Sequence, residues 1–253
     1  MPFVLNMSWL EATMLAGVRM VAFLVIAPPF SHNAIPLRIK GMLAVALAIV
    51  VAPRATVGYT SQDTGPFLLA LVTQLVAGAL LGFFVFLVFS AIQSAGNLID
   101  LFAGFQMAQA FDPQSLVNGA QFTRLMHMVA IALLFASGGY ELILGGLVRT
   151  FDALPVTGEL DMTKPGAALL GGLSQMFLAA VQIAGPIMLV LFLADIGLAL
   201  LTRVAPQMNA FSMGYPLKIL ITLLVAGVVF LALPRVVGAL VDDGLHLMGV
   251  VSR

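Results

Sequence analysis

The chain has 253 residues, of which 61% are hydrophobic and 9% charged, with a formal net charge of zero. Soluble domains carry about 25% charged residues, so this composition excludes a globule clothed in polar side chains and makes lipid the main solvent. It also excludes a basic nucleic-acid-binding surface and, with no cysteine, any disulfide or thiolate metal site.

The length admits roughly six or seven helical spans of ~20 residues and leaves no room for a second soluble domain. The pattern of charges predicts an all-α integral membrane protein with about six hydrophobic helical segments, several of them kinked or broken. The first runs from about Ser8 to Pro28 and is interrupted by Glu11 and Arg19. No Lys or Arg precedes it, so it is read as an uncleaved span and not as a signal peptide. A second segment, Gly41 to Ala52, ends at Pro53-Arg54. It is too short to cross a ~30 Å core unless Ile35 to Ile39 join the same helix.

The third segment is the strongest, with no charge between Asp63 and Asp100 and with Pro66 placed as a first-turn proline. From Asn97 to Gln121 polar residues interleave with phenylalanines, which predicts an amphipathic piece and a turn at Asp112-Pro113. A fourth segment, Leu125 to Val148, is broken at Ser137-Gly138-Gly139, and an aqueous loop follows from Arg149 to Lys164. The fifth runs from Ala167 to Leu201 with a kink expected at Gly185-Pro186. A loop at Ala205 to Asn209 leads to the sixth, Leu217 to Leu240, with Pro234-Arg235 near its end. Basic residues divide evenly between the two sides of this arrangement, so the positive-inside rule favours neither orientation. No internal repeat is found.

Enzymatic motifs are absent: there is no His-Glu-x-x-His, no Gly-x-Ser-x-Gly and no phosphate-binding glycine loop. His32, His127 and His246 lie far apart and lack metal-ligand neighbours at helical spacing, and His127 is read as an interfacial residue beside Arg124. No cofactor and no catalytic or metal site is expected. Charges inside spans carry more weight, because burying one in lipid costs ~2.5–3.5 kcal/mol even on the lenient insertion scale. Asp195 lies within an otherwise apolar run. If the last two segments form a hairpin turning near Asn209, Asp195 and Lys218 come to similar depths. A structural ion pair or a contact to a partner subunit outweighs a proton or gating switch there. Gly78-x-x-x-Gly82 would let two helix backbones approach closely, although 24 glycines produce such spacings by chance.

Three blocks of sequence resemble the FliR proteins of bacterial flagellar export and their injectisome relatives. The first is Ala27-Pro28-Pro29-Phe30 with Ile35-Pro36-Leu37-Arg38-Ile39-Lys40, closing at Val51-Ala52-Pro53. The second is Gly104-Phe105-Gln106-Met107, then Phe111-Asp112-Pro113-Gln114. The third and most specific is Pro206-Gln207-Met208-Asn209, running into Gly214-Tyr215-Pro216-Leu217-Lys218-Ile219. Order, spacing and length agree over the whole chain. Two departures stand out: the stretch from Met107 to Phe111 is about four residues, roughly one helical turn, shorter than the family pattern. Ser137-Gly138-Gly139-Tyr140-Glu141 also replaces an Asn-Gly-His-His run.

The resemblance implies a single membrane domain, residues 1–253, with a FliP-like part (1–165) and a FliQ-like helical hairpin (166–253). It implies a non-enzymatic subunit of the flagellar type III export gate, at the basal body in the bacterial inner membrane. Its partners would be FliP-like, FliQ-like and FlhB-like membrane subunits, the lipid bilayer and unfolded exported polypeptides. The helices would be inclined around a pore. The segment holding Gly104, Phe105, Gln106, Met107, Phe111, Asp112, Pro113 and Gln114 would be the pore plug; by residue pattern alone it fits an amphipathic interfacial helix equally well. The alternative reading is a small secondary transporter with intramembrane acids, but the paired interruptions of such proteins are not found. An intramembrane enzyme would need a paired nucleophile and base, and none is apparent.

Overall fold

The computed structural model of the chain describes residues 6–32, 35–105, 120–158, 163–205 and 210–251. Among these residues there are α-helices and no strand: α1 (Met7–Ile26), α2 (Leu37–Ala55), α3 (Thr64–Ala103), α4 (Gln121–Ala136), α5 (Gly139–Ala153), α6 (Thr163–Val204) and α7 (Ala210–Val251). The protein is all-α. Four stretches are long and apolar enough to cross a membrane, namely Met7–Ile26, Thr64–Ala103, Pro165–Val204 and Gly214–Gly249. Helices α4 and α5 form a fifth if taken together as one broken span. Helix is the expected outcome for so apolar a chain, since lipid offers no partner to backbone N–H and C=O groups.

The helices start and stop where local chemistry directs, with instructive exceptions. Asn6 caps α1, its side chain accepting from the Trp9 N–H at 3.4 Å. Pro66 occupies the first turn of α3, where its missing N–H costs nothing. The second helix is longer than the Gly41 to Ala52 segment of the sequence reading. It begins directly after Pro36, includes Leu37 to Ile39, and passes through Pro53 to Ala55. At 19 residues it measures about 28 Å. Pro53 falls in the last turn, where it removes one i→i−4 hydrogen bond and the helix ends two residues later. The break expected at Ser137-Gly138-Gly139 is real, with Gly138 at φ 71° between α4 and α5.

The fifth segment is α6, one helix of 42 residues with Pro186 inside it, where the kink is expected. One expectation is corrected. The sixth does not end near Leu240: α7 also has 42 residues, contains Pro216 and Pro234, and continues to Val251. A proline removes one ladder hydrogen bond, whereas leaving the helix at membrane depth would expose every following backbone group. Beyond Pro234 the burial is amphipathic, with Val237, Leu240, Val241, Leu247 and Met248 buried and Asp242, Asp243 and His246 exposed. That spacing is the apolar stripe of a helix, and the two adjacent aspartates disguised it as an aqueous end.

The chain forms two compact units. Unit 1 comprises residues 1–88, 138–173 and 240–253. Its core sets Leu15, Ala16, Met20 and Phe23 of α1 with Ala44, Ala48 and Val51 of α2. Ala77, Leu81 and Phe84 of α3 and Ile143, Leu147 and Phe151 of α5 complete it. The Gly78-x-x-x-Gly82 pair lies against α1. A Cβ at Gly78 would collide with the Arg19 carbonyl and come within 2.9 Å of Ala22 Cβ, and one at Gly82 would lie 2.9 Å from the Phe23 carbonyl oxygen. Only glycine permits this approach.

Unit 2 comprises residues 89–137 and 174–239. Phe122, Met126, Ala130 and Leu134 repeat at four-residue intervals along α4 and are all buried. Ile92, Ala95 and Ile99 of α3, Ala184, Ile187 and Leu191 of α6, and Val229 and Leu233 of α7 are buried in the same unit. The Phe122 and Phe230 rings stand 5.8 Å apart, within the range of favourable aromatic pairs.

Candidate functional site

Asp100 organises the base of the Gly104 to Asn118 segment in unit 2. It is 0% exposed and sits one turn before the end of α3. Its side-chain oxygens accept from the backbone N–H of Phe122 (2.9 Å), the backbone N–H of Thr123 (2.9 Å) and the Thr123 hydroxyl (2.6 Å). A carboxylate on the first N–H groups of a helix satisfies donors that the helix itself leaves unpaired and meets the positive end of its dipole. Asp100 thereby caps α4 from another helix, a role that its own neighbours do not signal. Its backbone carbonyl accepts from Phe105 N–H at 3.1 Å while Leu101 carbonyl accepts from Gly104 N–H at 3.3 Å. With Gly104 at φ 81°, this is a Schellman stop, and glycine is the residue that adopts that conformation without strain. One residue thus fastens both ends of the intervening segment.

Gly104 is constrained twice. A Cβ there would also lie 2.8 Å from the Tyr215 ring, so α7 packs directly on the turn that ends α3. Close by in the same helix, Lys218 Nζ stands 2.6 Å from Asp195 Oδ1 on α6. Together with Leu198, Thr202, Gly214 and Tyr215 this pair lines an open cleft of 360 Å³. The Lys218 side chain is 17% exposed and that of Asp195 44%, so the pair is partly open within this chain.

We expect Asp195→Asn alone to strand the Lys218 charge within a span, at ~2.5–3.5 kcal/mol. The Asp195→Asn, Lys218→Met double variant should restore the amount of complex recovered from membranes. A double variant no better than the worse single would refute pairing in the membrane.

Of the other residues singled out above, Phe105 follows the Schellman turn, and Gly214 and Pro216 lie within α7. Gln106, Met107, Phe111, Asp112, Pro113, Gln114, Pro206, Gln207 and Asn209 lie outside the described residues. His127 Nδ1 lies 2.9 Å from Gln93 Nε2, which places a polar contact between α3 and α4.

Unit 1 carries a polar end that sequence reading passed over. Arg19 is 0% exposed. Its Nε donates to Gln74 Oε1 at 2.6 Å, one Nη to the Leu154 carbonyl at 2.8 Å and the other to the Thr150 carbonyl at 3.4 Å. The guanidinium lies 4.0 Å from the centre of the Phe151 ring. Gln74 Nε2 in turn donates to the Val156 carbonyl at 3.0 Å. Among the described residues no carboxylate is within ion-pair distance of Arg19. Its charge is instead met by the last carbonyls of α5, the negative end of that helix dipole, and by an aromatic face. The signal was present: Ala12, Leu15, Ala16, Arg19, Met20 and Phe23 form one buried stripe, and Arg19 stands in its middle.

Nearer the start of α1, Glu11 accepts from the Ser61 hydroxyl (2.7 Å), the Tyr59 hydroxyl (3.0 Å) and Gln62 N–H (3.3 Å). Burial, reinforced by the Glu11 carboxylate, pushes the Tyr59 phenol up to about 12, so Tyr59 remains a donor near neutrality. Arg54 and Asp152 form an exposed ion pair at 2.9 Å, of the kind that contributes ~0–1 kcal/mol. No cluster able to hold a metal occurs among the described residues. The arrangement is one of helix ends and turns fastened by buried polar groups, suited to holding a precise shape.

Comparison with known proteins agrees with such a role. Residues 10–244 match the model for bacterial export proteins, family 1. The flagellar biosynthetic protein FliR of Escherichia coli (strain K12) is 32% identical over 213 residues, covering 84% of this chain and 82% of that protein. FliR of Bacillus subtilis (strain 168) is 25% identical over 252 residues, 95% of this chain and 96% of its own. Yop proteins translocation protein T of Yersinia pestis is 28% identical over 204 residues, 79% and 78% of the two chains. With the match extending over nearly its whole length, this chain belongs to the bacterial export proteins, family 1, as a FliR-type member.

Proposed function

We propose that this chain is a membrane subunit of the flagellar type III protein-export gate, helping to form the channel through which unfolded proteins leave the cytoplasm. The observation that carries the reading is the family match across residues 10–244 on a chain with at least four apolar helices of spanning length. Both flagellar and injectisome relatives match at 25–32% identity, and the flagellar reading rests on the sequence blocks from Ala27 to Pro53, Gly104 to Gln114 and Pro206 to Ile219. An export channel needs no catalytic group. It needs a constriction that excludes water and ions and yields to a polypeptide, which apolar rings can supply.

The finer reading follows from the same premise. The complex sits in the inner membrane with FliP-like, FliQ-like and FlhB-like sisters, residues 1–165 playing a FliP-like part and 166–253 a FliQ-like hairpin. The segment from Gly104 to Asn118 is the plug. Support comes from its alternation of Phe105, Met107 and Phe111 with Gln106, Gln109 and Gln114, a mixture suited to a protein-lined channel. The double anchoring of its base on Asp100 adds to this. Cells lacking the chain should fail to secrete flagellar proteins, and the restored chain should copurify with the sister subunits. Deleting Phe105 to Gln109 should leave that complex intact while the membrane becomes leaky to ions. Normal secretion without the chain would overturn the function. A tight membrane around an assembled deletion variant would overturn the plug.

A further inference from the structure

Beside the last turns of α7, unit 1 holds a cleft of 610 Å³ lined by Glu141, Leu142, Gly145, Arg149, Leu245 and Met248. Two adjacent glycines of α5 shape it. A Cβ at Gly146 would come within 2.6 Å of a Leu245 methyl, so α7 packs closely there. At Gly145 nothing lies within 4 Å of the Cβ position, so the floor of the cleft stays open. Glu141, Gly145 and Arg149 recur at four-residue steps and therefore share one face of α5. A negative and a positive side chain thus stand at opposite ends of an open floor, with Leu142, Leu245 and Met248 as apolar walls.

Neither charge meets an opposite one among the described residues. Arg149 has no hydrogen bond among them either, and its neighbour Asp152 pairs with Arg54 instead. Glu141 accepts from the Tyr140 hydroxyl at 2.9 Å. The two positions lie eight residues apart, about 12 Å along the helix. Glu141 belongs to the Ser137 to Glu141 block, in which this chain departs from the family pattern. The outer face of α5 also exposes Asp152, and three charges on one face are too many for hydrocarbon. With Ile143, Leu147 and Phe151 buried behind them, this is the amphipathic pattern of a helix at headgroup depth.

We propose that this cleft binds the headgroup of a zwitterionic phospholipid, phosphatidylethanolamine, with its phosphate on Arg149 and its ammonium on Glu141. The planar guanidinium fork suits phosphate oxygens, and a carboxylate accepts strongly from an ammonium. One hydrogen bond of ~3 Å at each end leaves roughly 6 Å of the separation, which the two-carbon link between phosphate and ammonium spans. The apolar walls receive the start of the acyl chains. An anionic headgroup would satisfy Arg149 but bring its negative charge towards Glu141. A choline headgroup carries the same charges but has no N–H to donate to the carboxylate.

The inference goes beyond the export function and requires only that the chain sits in a membrane. To test it, the full chain, with whatever proteins copurify, is reconstituted in vesicles of equal parts phosphatidylethanolamine and phosphatidylglycerol. A photoreactive phenylalanine analogue replaces Leu142 in the cleft or, as a control, Leu68 on α3; the two are 55% and 56% exposed. Lipid adducts are identified by mass spectrometry, and limited proteolysis checks that each variant is folded. Phosphatidylethanolamine should be favoured about fivefold at 142 relative to 68, the upper range for one exposed ion pair. Arg149→Gln should bring the ratio at 142 down to that at 68. Glu141→Gln should carry it past that point towards phosphatidylglycerol, a reversal that a merely structural role would not produce. Gly145→Leu, which fills the floor, should abolish the preference. Equal ratios at 142 and 68, a preference for phosphatidylglycerol with both charges in place, or crosslinks from 142 to protein instead of lipid would each overturn the site. So would a preference that survives both Arg149→Gln and Glu141→Gln.

Discussion

Arg19→Met should abolish accumulation of the folded chain in membranes. The substitution keeps the length and apolar stem of the side chain but removes every donor. Gln74 Oε1 and the Leu154 carbonyl, which accept from Arg19 at 2.6 and 2.8 Å, are then left without their charged donor. Each unsatisfied buried acceptor costs ~1–3 kcal/mol, and the contact to the Phe151 ring adds ~2 kcal/mol when desolvated. A loss of several kcal/mol is most of what holds a domain of ordinary stability together. Arg19→Lys preserves the charge but offers a single nitrogen in place of the planar fork, so it should rescue only partly. Quantitative blotting of membrane-inserted protein with a limited-proteolysis series would measure both. Wild-type levels and protease resistance for Arg19→Met would refute the structural role of the network.

The second large effect is expected at Gly78, and its sign is diagnostic. Replacing glycine by alanine inside a helix ordinarily stabilises by ~1 kcal/mol. At Gly78 the added methyl would enter the space held by the Arg19 carbonyl and Ala22 Cβ. Because the obstacle is backbone, no rotamer change relieves it, and α1 must move away from α3. Overpacking of this kind costs ~1–3 kcal/mol, occasionally more. The displacement would also pull Arg19 from Gln74. Gly145→Ala is the matched control, since nothing lies within 4 Å of its Cβ position, and it should be neutral or mildly stabilising. The same membrane-accumulation and proteolysis measurements apply. Equal behaviour of the two variants would show that the close approach of α1 and α3 is not required.

Much of this protein was legible from its residues because lipid simplifies the code. With no water to satisfy the backbone, an apolar run of sufficient length has to be helix, so the class and four of the long segments follow from composition and charge spacing. The break at Ser137-Gly138-Gly139 followed from turn chemistry. The export family was legible too, from short blocks such as Gly214 to Lys218 that depend on residue identity and not on periodicity. The same simplicity hid other features. Pro234-Arg235 was weighed by rules from soluble proteins, so the last helix was expected to stop near Leu240, whereas α7 continues to Val251.

The residue types alone could not say which polar groups meet. Asp100 and Arg19 look alike in sequence, each a single charge in an apolar stretch. Tertiary structure makes one the cap of α4 and the other the clasp on the end of α5. Gly78 is one of 24 glycines until a neighbouring carbonyl gives it a reason. Composition and periodicity settle solvent and secondary structure because each is a property of one helix and its surroundings. Partners across helices depend on register and crossing between segments far apart in the chain, and only the folded arrangement of the helices decides those.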